Sequence, residues 1–184
     1  MFIETEQTPN PRSLKFIPDR PVIEKGTVHF TDSGKAEASP LAQALFALKE
    51  VTGVLLAPSF ISVTIKGNDW KEAKPAILGV LMDHFTSGKP AVLETGVKEP
   101  EPKKDSEEDN EIVQQIRTIL DEKVRPAVAK DGGDVIFSKF EDGIVYLVMQ
   151  GACSGCPSSI YTLKSGIENL LKYYIPDVQE VRQV

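Results

Sequence analysis

Cysteine is nearly absent from this sequence: 184 residues carry two, Cys153 and Cys156, three positions apart. A disulfide framework needs more pairs and longer loops, so two close thiols in a reducing compartment point instead to metal or redox chemistry. No apolar run approaches the roughly 20 residues that span a bilayer, so no membrane partner is expected. Basic excess is also missing. The net charge is -6, and residues 1–92 balance ten basic against ten acidic side chains, residues 93–110 three against seven, and residues 111–184 eight against ten. Without a basic stripe there is nothing to neutralise a phosphate backbone, and nucleic-acid binding is not expected. The first ten residues hold two glutamates and no basic residue, unlike a secretory signal or a transit peptide. The expected compartment is the bacterial cytoplasm, or the mitochondrial matrix for a processed eukaryotic chain.

What is present reads as two small α+β domains joined by a flexible, charged linker. Residues 93–110 form that linker, with TGVKEPEPKKDSEED at its heart. Such a segment cannot bury enough surface to offset its ordering entropy. In the first domain, residues 1–92, short strands are predicted at 13–17 and 27–30. Ser39-Pro40 starts a helix with Leu41, Leu45 and Leu48 on one face, and Gly53 marks the way out of it. A hairpin is predicted from 51–56 and 61–65, and a last helix from Trp70 to residue 86 with Ile77, Val80, Leu81, His84 and Phe85 inward. The order is β-β-α-β-β-α.

In the second domain, residues 111–184, a helix over 111–124 buries Ile112, Ile116, Ile119 and Leu120, and Pro126 kinks or ends it. Asp131-Gly132-Gly133-Asp134 reads as a turn. Strands at 135–140 and 144–149 flank a Glu141-Asp142-Gly143 hairpin. A helix over 157–174 follows, with Ile160, Leu163, Ile167, Leu170 and Tyr174 inward, and then a short strand over 178–184. The order is α-β-β-α-β.

Cys153 and Cys156 fall on the loop between the second strand and that last helix. Gly151 and Gly155 allow a tight turn there, and Pro157 suits the first helical position. Free N–H groups and the positive end of the helix dipole then favour thiolate over thiol. Three readings follow. The cysteines are plain buried residues, or a thioredoxin-like dithiol, or ligands. A dithiol fold wants more strands after the motif than this chain provides. Zinc and iron–sulfur clusters want about four ligands, and one chain offers two. The only histidines, His29 and His84, lie in the other domain and in apolar patterns, so they read as packing residues. Two chains about a two-fold axis would complete a set of four thiolates. Ser154, Ser158 and Ser159 either donate to cluster sulfurs or cap the helix, and Trp70 reads as an anchor at a helix start.

The second domain resembles the NifU C-terminal domain through VRPAVAKDGGDV (124–135), GACSGCPSS (151–159) and TLKSGIENLL (162–171). The first resembles the Nfu N-terminal domain through TEQTPNPRSLKF (5–16), SPLAQALF (39–46), VTGV (51–54) and WKEAKPAILGVLMDHF (70–85). The resemblance to Nfu-type iron–sulfur scaffold and carrier proteins implies a [4Fe-4S] cluster shared by a homodimer, with Cys153 and Cys156 of each chain as ligands. A [2Fe-2S] cluster is the lesser alternative, since the same four thiols would serve. It further implies a carrier rather than an enzyme. Upstream scaffold proteins would donate the cluster, apo iron–sulfur proteins would receive it, and the first domain would recognise targets. The competing function is a thioredoxin-like dithiol oxidoreductase.

Overall fold

The computed structural model describes residues 1–93, 107–155 and 157–184, with backbone alone at 107–110 and 157–159. The chain divides into two compact units, Met1–Lys98 and Glu99–Val184. Each has its own hydrophobic core, and the architecture is α+β throughout.

The first unit is a five-stranded antiparallel sheet with helices. Its strands are β1 (Ile3–Gln7), β2 (Ser13–Pro18), β3 (Val28–Phe30), β4 (Val51–Leu56) and β5 (Ile61–Ile65), in spatial order β1-β2-β5-β4-β3. The central strands β2, β4 and β5 are apolar and buried along nearly their whole length, as strands covered on both faces should be. Helix α1 (Pro40–Phe46) begins as predicted: the Ser39 hydroxyl accepts from Ala42 N–H at 3.0 Å, and Pro40 takes the first turn. Helix α2 (Trp70–Ser87) is capped by Asp69 and closed by Gly88 at φ 68°. Phe16, Leu41, Leu45, Ile61, Ile77 and Leu81 meet in the core between them.

Three expectations change here. Strand β1 has no counterpart in the sequence reading, because its pattern alternates half-exposed and exposed residues rather than apolar and polar ones. A 3-10 turn at Ser33–Ala38 precedes α1. Gly53 lies inside β4, at a shift in register between Val51 and Gly53, because α1 has already ended at Phe46.

In the second unit, α3 (Glu107–Ile119) passes through a π-helical turn, Leu120–Val124, into α4 (Arg125–Lys130). Pro126 therefore neither ends nor breaks the helical run. It occupies the first turn of α4, where a missing N–H is tolerated. The helix also begins at Glu107, inside the segment read as linker. Strands β6 (Gly133–Glu141) and β7 (Ile144–Gly151) form a hairpin whose turn has Asp142 at φ 51° and Gly143 at φ 75°, the conformation an Asp-Gly pair favours. Helix α5 (Pro157–Tyr174) crosses over to β8 (Glu180–Gln183), which pairs parallel to β7, giving the order β6-β7-β8. Ile116, Leu120, Leu147, Ile167 and Leu171 form the centre of this core. Tyr174, predicted inward, is 47% exposed, while Leu171 and Ile175 are buried in its place. From Ile167 onward the 3.6-residue period lands on 171 and 175, not on 170 and 174.

Candidate functional site

Cys153 sits in the turn that leaves β7 and precedes α5. Gly151 at φ 62° and Gly155 at φ 79° take the left-handed conformation that the sharp turn requires. Inside it, Ser154 donates both its backbone N–H (3.1 Å) and its hydroxyl (2.8 Å) to the Gly151 carbonyl. The Ser154 hydroxyl is thus engaged within the turn. Cys156 lies outside the described residues, as do the side chains of Ser158 and Ser159.

A second turn supports the first from behind. The chain leaves α4 through Asp131 and Gly132, and Gly132 O accepts the Ala152 N–H at 3.1 Å, fastening the two turns together. Gly133 then lies directly against Cys153. A Cβ there would stand 2.3 Å from Cys153 Sγ and 3.0 Å from its backbone N. A methyl group cannot fit at such distances, so this glycine is needed for space. Asp134, only 3% exposed, locks the turn in place. Arg125 grips it with two parallel bonds, Nε to Oδ1 and Nη2 to Oδ2, both at 2.9 Å, while Oδ1 also accepts the Val135 N–H at 2.8 Å. Arg125 reaches Asp121 as well, at 3.0 Å. A fork of this kind fixes position as well as charge. From the sequence, 131–134 reads as a turn only. An aspartate opening an apolar strand, nine residues after an arginine, was the signal available for more.

The electrostatics reverse one expectation. Cys153 is 7% exposed and packs within the second core. Its thiol is pushed up to about 12, chiefly by burial, then by the negative charges of Asp131 and Asp134. The predicted preference for thiolate therefore does not hold at Cys153, where desolvation and two carboxylates outweigh the helix end. Any metal that binds must displace that proton.

The histidines are where packing residues belong. His84 is buried on α2 in an edge-to-face contact with Phe85 at 5.6 Å, and burial lowers its pKa. His29 on β3 is brought down to about 4, first by burial and then by Lys35. Among the described residues, no three His, Cys, Asp or Glu side chains gather as a metal site. Trp70 ties the start of α2 to the loop after β1, donating from Nε1 to Pro11 O at 2.9 Å. No helix among the described residues is long and apolar enough to cross a membrane.

Comparison with known proteins adds to this geometry. Residues 116–182 match the family model of the NifU-like domain, and residues 3–88 match that of the scaffold protein Nfu/NifU N terminal. The chain is 50% identical over 186 residues to the human protein named NFU1 iron-sulfur cluster scaffold homolog, mitochondrial, covering all of this chain and 72% of that one. To the protein of the same name in Drosophila ananassae it is 46% identical over 189 residues, again along its whole length but over 64% of the relative's. The solution structure of a NifU-like protein from Saccharomyces cerevisiae aligns with a TM-score of 0.46 at 20% identity, over 51% of this chain and 86% of that one. With both family domains matched in order and half of its residues, along its whole length, shared with the human protein, the chain belongs to the Nfu family of NifU-like proteins.

Proposed function

We propose that the protein is an iron–sulfur cluster carrier, in which Cys153 and Cys156 of two chains hold a [4Fe-4S] cluster that is then passed to apo-proteins. The observation that carries this reading is a braced but incomplete site. Cys153 is seated by Gly133 and the Arg125–Asp134 fork on a turn at the edge of the core, yet the chain contains only one other cysteine. Four thiolates suit a cubane, so two chains are needed to supply them. The names of the relatives support iron and sulfide as the cargo, and a [2Fe-2S] cluster would use the same four thiols. A cluster held between subunits leaves when the subunits part, which suits delivery rather than storage, and no chemical step on a substrate is assigned to the chain.

In this reading the second unit binds the cluster, and the first recognises the proteins that receive it. Cluster donors would be scaffold proteins acting upstream. The human and Drosophila relatives are named as mitochondrial, and a reducing compartment of that kind keeps adjacent thiols free for metal.

The test is anaerobic reconstitution with ferrous iron and sulfide, read by metal analysis and native mass. About four irons and four sulfides per two chains are expected, and Cys153→Ala should bind none. A monomer holding one tetrahedral zinc per chain would sink the proposal. Reduction of an insulin disulfide by a chain that binds no iron would favour the dithiol oxidoreductase instead.

A further inference from the structure

The two stretches of the first unit that begin and end its family resemblance, 5–16 and 70–85, meet in space. Trp70 is bonded to Pro11 O, and beside that contact opens a cleft of about 630 Å³. Thr5 and Gln7 of β1 form one side, Lys71 and Lys74 of α2 the other, and the 8–11 loop with Trp70 closes the end. Its lining holds two ammonium groups and no carboxylate.

Strand β1 is the outermost of its sheet. Asp19 N–H donates to Phe2 O at 3.0 Å, which sets the phase of the β1–β2 ladder. Bonded pairs alternate along an antiparallel ladder, so Glu4/Ile17 and Glu6/Lys15 face each other with their backbone groups, while Ile3, Thr5 and Gln7 turn theirs outward. Side chains alternate too. Ile3 packs against the core, which puts Thr5 and Gln7 on the helix side, where the lysines are. Glu4 and Glu6 occupy the opposite face, and Glu6 is paired with Lys15 at 2.9 Å.

We propose that this cleft captures an extended acidic segment of a recipient protein as a strand added along β1, its carboxylates meeting Lys71 and Lys74. Main-chain bonds to Thr5 and Gln7 supply the pairing, and the lysines supply selectivity. The segment alternates, acidic toward the helix and neutral toward Glu4, because like charges directly across a ladder repel. The inference rests on the reading of the first unit as the recogniser of recipients.

Trp70 is the only tryptophan in the chain, so its fluorescence reports on the cleft. The full chain is titrated with a short synthetic peptide alternating aspartate and valine, at low salt. A saturable change is expected, weakened roughly tenfold when Lys71→Gln and Lys74→Gln are combined, and weakened again by added salt. Thr5→Pro removes an N–H that points away from β2, a place where an edge strand tolerates proline. It should abolish binding while leaving the thermal transition in place, and if it fails to fold, the lysine variants decide. No fluorescence response, an equal response to a lysine–valine peptide, or full binding by the double lysine variant would each overturn the proposal. Iron and sulfide content is measured on the same variants. Peptide capture by a chain that holds no iron keeps this inference and removes the carrier reading, whereas iron binding without capture does the reverse.

Discussion

The first unit carries both histidines and the only tryptophan, and the second carries both cysteines and all four tyrosines. The two also bury polar groups differently. In the first, His84, buried, and His29, partly buried, are driven toward the neutral form by desolvation. In the second, the buried Asp134 carboxylate is held by a two-pronged contact from Arg125. A neutral ring can be buried at the modest cost of an unpaired nitrogen, as at His84 Nε2, whereas a buried carboxylate needs a partner with the right geometry. The first device makes a finished domain. The second makes a rigid seat for a side chain, Cys153, which in the proposed function is one of four ligands drawn from two chains.

The largest test of that contrast is Arg125→Ala. It strips the fork from a carboxylate that is 4% exposed, and should cost the second unit about 3 kcal/mol. That is the low end for a broken buried pair, chosen because Arg125 itself is 34% exposed. Tyrosine fluorescence and circular dichroism should show the second unit melting earlier, with the Trp70 transition unmoved. Asp134→Asn should cost less, since the amide needs no counter-charge. Equal losses in the two variants would mean that the fork contributes packing rather than charge.

Acid should act on the other unit. A histidine whose folded value is about 4 against an ordinary 6.5 binds its proton more readily when unfolded. The first unit therefore keeps the full contribution of His29 above pH 6.5 and loses it progressively down to about 4, a total of about 3 kcal/mol. The second unit has no histidine. Its Glu168 accepts from Lys172 Nζ at 2.7 Å and from Val181 N–H at 3.0 Å, and is held below its ordinary 4.5, so that contribution fades only below that pH. Denaturant midpoints at pH 6.5 and pH 5 should fall for Trp70 and hold for the tyrosines. His29→Gln should make the first curve shallower, leaving the share that comes from His84.

These contrasts were unevenly legible in the sequence. Apolar spacing and caps located α1, α2, α5 and both hairpins, because each of those signals is local. Strand β1 was hidden, since an edge strand buries little and ETEQ shows no apolar alternation. The helical run through Pro126 was hidden because a π turn resets the backbone just before the proline. The motif loop was plain, but not its seat. Gly133 and Cys153 are twenty positions apart, and only the β6–β7 register, which sets Gly133 opposite Gly151, brings the turns together. The protonation of Cys153 is hidden for the same reason: the helix end is visible in the sequence, but the burial of the sulfur and the carboxylates folded behind it are not.

Gly133→Ala probes that seat at smaller cost. The new methyl would overlap Cys153 Sγ, and an overpacked site loses about 1–3 kcal/mol. The sulfur is the more mobile partner, so it should swing outward. Alkylation of Cys153 in a Cys156→Ser background, followed by mass, should therefore accelerate even as the second unit is destabilised. Slower or unchanged alkylation would mean that the turn shifts as a whole and that Gly133 does not set the sulfur's position.

The smallest effects test whether the two units are as separate as their cores suggest. Gly79 in α2 and Gly166 in α5 are exposed helical glycines, and a Cβ on either would meet nothing within 4 Å. Alanine at such a site removes freedom from the unfolded chain and adds no clash, so each substitution should stabilise by about 0.5–1 kcal/mol. Gly79→Ala should raise only the Trp70 transition, and Gly166→Ala only the tyrosine transition. The pair is informative because neither glycine touches a site: a shift in the opposite unit could come only through coupling between the two folds. If both transitions rise together, the units unfold as one, and the assignments of Arg125 to one transition and His29 to the other must be merged.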